Sequence, residues 1–167
     1  MFDLRPVQSS DAPALHTLLS DPEVAMWLRP RGVTGPFTLT ECEAMLPRAL
    51  AHWAAHGFGY WLAWDGEACA GRCLLKHSIV DGRGEVEIGW AVARPYWGRG
   101  LGTAMGRHAL AAAAEHGISN VVAFTRVDNL ASQRVMQKLG LAFEREFAYA
   151  GLPHVLYRTI RESNPHE

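Results

Sequence analysis

The feature that most constrains this sequence is a set of glycines at alternate positions, Gly98-Arg99-Gly100-Leu101-Gly102. It follows an alternating stretch, Glu85 to Ala93, that reads as a strand, and leads into an alanine-rich stretch, Leu101 to His116, that reads as a helix. Glycines at this spacing let the chain fold tightly and bring main-chain N–H groups to one spot with no Cβ atoms in the way. The helix N-terminus adds partial positive charge. Such a nest suits a phosphate or diphosphate, and Arg99 supplies a mobile cation. Two other phosphate loops are excluded. A Walker A loop needs a Gly-Lys pair, which the chain lacks, and Thr103 stands where a dinucleotide fingerprint needs its third glycine.

The elements around this turn follow from pattern and punctuation. Phe2 to Val7 reads as a strand, and Ser10 is the expected cap of a helix carrying Leu15, Leu18 and Leu19 on one face, stopped at Asp21-Pro22. After a Gly/Pro-rich stretch, Thr40 and Glu43 have the spacing of a capping box, and an apolar stripe of Leu46, Leu50, Trp53 and Ala54 ends at Gly57. Pro47 within that stripe implies a kink or a later start. Tyr60 to Trp64, the Asp65-Gly66 turn and Ala68 to Val80 form a hairpin, and a further turn at 81–84 leads to the strand Glu85 to Ala93. Beyond the glycines come a strand at Val121 to Arg126, a short helix from Asn129 to Leu139 closed by Gly140, and strands Phe143 to Tyr149 and His154 to Ile160. The order β-α-α-β-β-β-α-β-α-β-β predicts an α/β (α+β) fold. A mixed, mostly antiparallel sheet of six to seven strands is flanked by about four helices. Residues 1–161 are expected to form a single domain, with 162–167 a frayed tail.

Composition narrows the functional classes. The formal net charge of -1 argues against a protein that tracks nucleic-acid backbone. Cys42, Cys69 and Cys73 cannot all pair within the chain, and the N-terminus has no apolar leader, so a cytoplasmic setting is expected. No apolar run is long enough for a membrane span. Cys69 and Cys73 share strand parity and read as small buried residues. His52 and His56, four apart on a helix, lack the H-E-x-x-H pattern, and His108 and His116 read the same way. No metal is expected.

Gly98 to Gly102 after Ala93-Arg94-Pro95-Tyr96 resembles the acyl-CoA signature of the GNAT N-acetyltransferase superfamily, Q/R-x-x-G-x-G/A, with Trp97 in the Q/R place. A second family motif is matched by Asn129-Leu130-Ala131-Ser132-Gln133-Arg134-Val135-Met136-Gln137-Lys138-Leu139-Gly140. The Tyr96-Trp97-Gly98-Arg99-Gly100 form, with Arg5-Pro6 and Ser20-Asp21-Pro22-Glu23-Val24, looks like the branch that acetylates ribosomal-protein N-termini. The resemblance spans Leu4 to about Arg158. It implies acetyl-CoA as cosubstrate, its diphosphate on the amides from Arg99 to Thr103, including Gly100, Leu101 and Gly102. Its pantetheine arm would lie along Trp90, Ala91 and Val92, with Asn129, Ser132 and Lys138 nearby. It further implies an amine acceptor, either a protein N-terminus or a small molecule, and a monomer or homodimer that binds neither nucleic acid nor membrane. Many relatives carry a Tyr, which protonates the leaving thiolate, where this chain has Met136. That departure favours the alternative, a non-catalytic acyl-CoA-binding module, and leaves water or Tyr96 as the acid.

Acyl transfer needs a neutral amine, and an α-amine with a pKa of about 8 needs only a weak base. Glu87 is the first candidate and Glu85 the second. Both also fit as solvated strand charges. The main-chain N–H of Val92 is the candidate for polarising the thioester carbonyl. Trp27 and Phe37, in the irregular region that borders the acceptor in this family, are candidate substrate contacts. Arg29 and Arg31 there favour an acidic acceptor, or are simply loop charges.

Overall fold

The computed structural model describes residues 1–160; the frayed tail expected at 162–167 lies outside the described residues. The strands are β1 (Asp3–Pro6), β2 (Tyr60–Asp65), β3 (Ala68–Val80), β4 (Arg83–Val92), β5 (Val122–Arg126), β6 (Leu141–Tyr149) and β7 (Leu152–Thr159). The helices are α1 (Ala12–Leu19), α2 (Pro22–Ala25), α3 (Leu39–His56), α4 (Leu101–Glu115) and α5 (Leu130–Lys138). The strands form one sheet in the order β1-β2-β3-β4-β5-β7-β6, antiparallel except where β4 meets β5. This is the mixed, mostly antiparallel α/β sheet the sequence predicts.

Helices cover both faces. Leu15, Leu18 and Leu19 of α1 and Cys42, Leu46 and Ala49 of α3 pack with Leu62 and Ala91 on one face. Leu101, Met105 and Ala109 of α4 and Met136 of α5 pack on the other against Trp61, Cys73, Leu75 and Ile88. Trp61, Leu62 and Ala63 are consecutive and all buried, as befits a strand covered on both sides. Gly106 leaves no room for a Cβ beside Leu139, so α4 and α5 approach closely. No helix among the described residues is long and apolar enough to cross a membrane.

Several local expectations are corrected. Asp11 rather than Ser10 precedes α1, and its carboxylate accepts the Gln8 N–H at 2.7 Å. The capping box is Thr38–Glu41, two residues earlier than Thr40–Glu43: Thr38 Oγ1 accepts from the Glu41 N–H, and Glu41 accepts from the Thr38 N–H. α3 therefore begins well before Pro47 and runs through it. Asp21-Pro22 ends α1 but also starts α2, because the Asp21 side chain caps the Glu23 N–H and Pro22 fits the first turn. A bulge shifts the β2–β3 register so that Ala63 faces Gly71 while Trp64 faces Cys69. The extra residue breaks the expected parity: Cys69 packs in the α1/α3 core and Cys73 in the α4 core.

Candidate active site

β4 and β5 share a single register pair, Glu87 with Val122, and then part. The Ala93 N–H donates to the Ala70 carbonyl on the β3 side. Alternation therefore aims the N–H and C=O groups of Val92 and Trp90 at the opened side, where β4 has no ladder partner. One of them is engaged, since the Trp97 indole N–H donates to the Val92 carbonyl at 2.8 Å. The Val92 and Trp90 N–H groups face a cleft of about 910 Å³ that passes through the sheet at this wedge.

The glycine turn borders the same cleft. Gly98 and Gly100 have φ of 71° and 78°, in the left-handed region that favours glycine. Gly100 is the N-cap of α4 and offers no side-chain cap. The Leu101, Gly102 and Thr103 amides thus lack intrahelical acceptors and present the positive end of a 15-residue helix. Facing them, Asn129 caps α5: its Oδ1 accepts from the Ser132 N–H at 3.3 Å and its Nδ2 donates to Thr125 Oγ1 at 3.1 Å. Both side-chain atoms thus already serve the protein, fixing the start of α5 beside β5.

Most sequence-derived candidates meet at this cleft. Glu87, Trp90, Ala91, Val92, Trp97, Gly98, Gly100, Leu101, Gly102, Thr103, Asn129, Ser132, Lys138, Trp27 and Phe37 all line it. Arg99 does not; its guanidinium lies over the Tyr96 and Phe2 rings, 5.1 and 5.8 Å from their centroids. Glu85 is not brought to the cleft either. It lines a separate hollow of about 770 Å³ at the far end of β3–β4. There Arg158 donates to both its oxygens at 2.9 and 2.8 Å. That bonding holds the Glu85 carboxyl below its ordinary range, the opposite of what a base near neutrality needs. Tyr96 borders the cleft, but its hydroxyl donates to Asp65 at 3.1 Å.

Sequence reasoning missed Arg72, Lys76, Tyr149, His154 and Arg134, which also line the cleft. Arg134 lay within the quoted helix motif. Arg72 and Lys76 join Glu87 through register: Lys76 pairs with Glu87, Leu74 with Gly89 and Arg72 with Ala91, which puts all six on one sheet face. Burial pushes the Glu87 carboxyl up, and Lys76, with Nζ 3.5 Å away, offsets part of that rise. Burial lowers Lys76, but Glu87 and Tyr60 outweigh it and leave the ammonium held above its usual value. Burial likewise raises Tyr149 and lowers His154. The thiols are no nucleophiles: burial raises Cys69 to about 11 and Cys73 to about 12.

The segment over the acceptor side is tied to both halves of the sheet. The Phe37 N–H donates to the Leu19 carbonyl, and Arg29 pairs with Glu41 at 2.7 Å while stacking on Phe37 at 3.7 Å. Across the wedge, the Arg31 N–H donates to the Ala150 carbonyl at 2.9 Å. Arg126 donates to the Met26 carbonyl at 3.3 Å and lies over Trp27 at 5.0 Å.

A parted pair of parallel strands, an uncapped helix N-terminus and a buried carboxylate thus share one cleft. A family model described as an acetyltransferase (GNAT) domain matches residues 2–142. The chain belongs to the GNAT acetyltransferase family. Solved structures share its fold. RimL, a ribosomal L7/L12 alpha-N-protein acetyltransferase solved with coenzyme A, is 20% identical with a TM-score of 0.78, covering 95% of this chain and 93% of its own. AAC(6')-Ib, solved with ribostamycin and coenzyme A, is 19% identical with a TM-score of 0.77, covering 96% and 93%. A GNAT acetyltransferase from Bacillus anthracis is 21% identical with a TM-score of 0.74, covering 95% and 94%.

Proposed function

We propose that this GNAT protein transfers an acetyl group from acetyl-CoA to a primary amine, either a protein N-terminal α-amine, as in the RimL-type branch, or that of a small molecule. The observation that carries the reading is the wedge beside Val92, which opens onto the free amides of α4. Those amides suit the diphosphate of the cosubstrate, with Lys138 and Arg134 as nearby cations. The unpaired edge of β4 suits an extended arm carrying amide groups, which would pair with Trp90 and Val92 as a further strand does.

The chemistry asked of the chain is modest. The Val92 N–H donates to the thioester oxygen as negative charge develops there. Glu87 accepts a proton from the attacking amine, directly or through a water, and its raised pKa suits that task near neutrality. The amine nitrogen forms the new bond to the acyl carbon, the C–S bond breaks, and the electron pair leaves on sulfur. A thiol pKa of about 8.5 makes that thiolate a workable leaving group, so water can protonate it. Met136, 1% exposed, is part of the core, and Tyr96 is turned toward Asp65, so neither supplies this proton. Thiol release from acetyl-CoA with a panel of amines tests the reading. Amine-dependent release is expected; binding of coenzyme A with no release for any amine would reject transfer.

A further inference from the structure

Arg72 is a half-buried cation. Its Nε is sealed from solvent and has no hydrogen-bond acceptor among the described residues. None of the ion pairs among those residues includes it, whereas three other cations around the acceptor side are matched: Lys76 with Glu87, Arg29 with Glu41, Arg126 with Asp128. A guanidinium partly withdrawn from water, with a sealed Nε that lacks an acceptor, is costly to keep charged, so its retention calls for a counter-ion from outside the chain. The residue faces the cleft. It shares a sheet face with Glu87, two register steps away, with Leu74 and Gly89 between them and the Leu74 side chain lying against Gly89. α4 packs on the opposite face.

We propose that Arg72 binds a carboxylate of the acceptor, so that the amine acetylated here belongs to a molecule that also carries a carboxylate. This rests on the transfer reading above, with Glu87 marking the position of the amine. The guanidinium fork matches a carboxylate in two parallel hydrogen bonds. Two sources offer that chemistry: the α-carboxylate of a free amino acid, or the acidic side chain of a peptide's first residue.

The test compares matched amines in acetyl-CoA turnover. Glutamine against glutaminamide isolates the α-carboxylate; peptide amides beginning with glutamate against those beginning with glutamine isolate the side chain. In one of the two arms the carboxylate form is expected to have a KM roughly ten-fold or more lower. Arg72→Gln is expected to erase that difference, chiefly by raising the KM of the carboxylate form. The variant removes a half-buried charge that no ion pair includes, so it is expected to melt no lower than the wild type; Arg72→Met serves as a second neutral variant. Equal KM values in both arms would overturn the proposal. So would an Arg72→Gln loss that falls equally on charged and neutral amines, or an Arg72-dependent preference for a succinyl over an acetyl thioester. Calorimetry with N-acetylglutamate against its neutral diamide keeps the two readings apart. Silence of every amine in turnover would reject transfer, whereas absence of Arg72-dependent binding would reject the carboxylate site.

Discussion

Lys76 Nζ lies 3.5 Å from Glu87 Oε1 across the β3–β4 ladder, and the pair faces the cleft from the sheet floor. Burial raises the Glu87 carboxyl, and the ammonium offsets part of that rise and so favours the ionised, proton-accepting form. An ion pair of this kind contributes little to stability, because desolvation offsets most of its Coulomb energy, and it fits the proposed role of Glu87 as a base.

Glu87→Gln is therefore expected to lower kcat by roughly 10²-fold near and below neutral pH. The deficit should shrink above about pH 8, where an α-amine is already neutral. The pH–rate profile checks this; a profile parallel to the wild type at every pH would acquit Glu87.

Gly100 has φ 78°, and its ideal Cβ would meet nothing within 4 Å in the free protein. Gly100→Val strains the turn by about 1–2 kcal/mol and puts a branched side chain before the free amides of α4. Coenzyme A affinity by calorimetry is expected to fall at least about ten-fold, with a modest drop in Tm. Wild-type affinity in the variant would remove the diphosphate assignment.

The Arg158–Glu85 pair predicts a stability effect without a catalytic one. Hydrogen bonds from Arg158 depress the Glu85 and Glu144 carboxyls. Their contribution is thus present above the ordinary carboxylate pKa of 4.5 and fades as pH falls through the lower folded values. Glu85→Gln is expected to cost about 1.5–3 kcal/mol at pH 7 and little at pH 3, with kcat preserved. Chemical denaturation at the two pH values measures it, and a large loss of kcat would return Glu85 to the catalytic set.

His52 predicts the opposite end of the pH range. Its Nδ1 lies 2.8 Å from the Phe58 carbonyl, and its Nε2 accepts the His77 N–H at 3.1 Å, so the neutral ring clips α3 to β3. Burial, with His56, His77 and Lys76 nearby, lowers its pKa below 6.5. The unfolded chain then binds the proton more readily. The clip's contribution is complete above that value and is lost as pH falls below it toward the folded pKa. Tm is expected to drop between pH 7.5 and 5.5, and His52→Gln should flatten that slope. Equal slopes in the two proteins would show that the clip does not titrate.

The glycine turn was legible in the sequence because its requirement is local: a positive φ at Gly98 and Gly100 leaves a direct mark in residue type. Asn129 as the cap of α5 was legible for the same reason. Arg72 and Lys76 were not, because their meaning depends on which β4 residue each one faces, and register between strands is not written in either strand alone. The bulge at Ala63/Trp64 escaped notice likewise, since Ala70 carries no sign of being the extra residue. Glu85 shows the limit of strand parity. Alternation put it on the same face as Glu87, but only the fold brings Arg158 against it, from a strand 73 residues away.

The segment from Met26 to Phe37 is anchored to α1 and α3 at one end, and bonded to Ala150 and Arg126 beyond the wedge at the other. It therefore spans the wedge between β4 and β5 as a strap. A bulky acceptor can spread the two halves of the sheet only by stretching those attachments. On the proposed reading, loosening the strap by substituting Arg126, whose side chain makes one of those ties, is expected to broaden the range of amines admitted before it disturbs the chemistry.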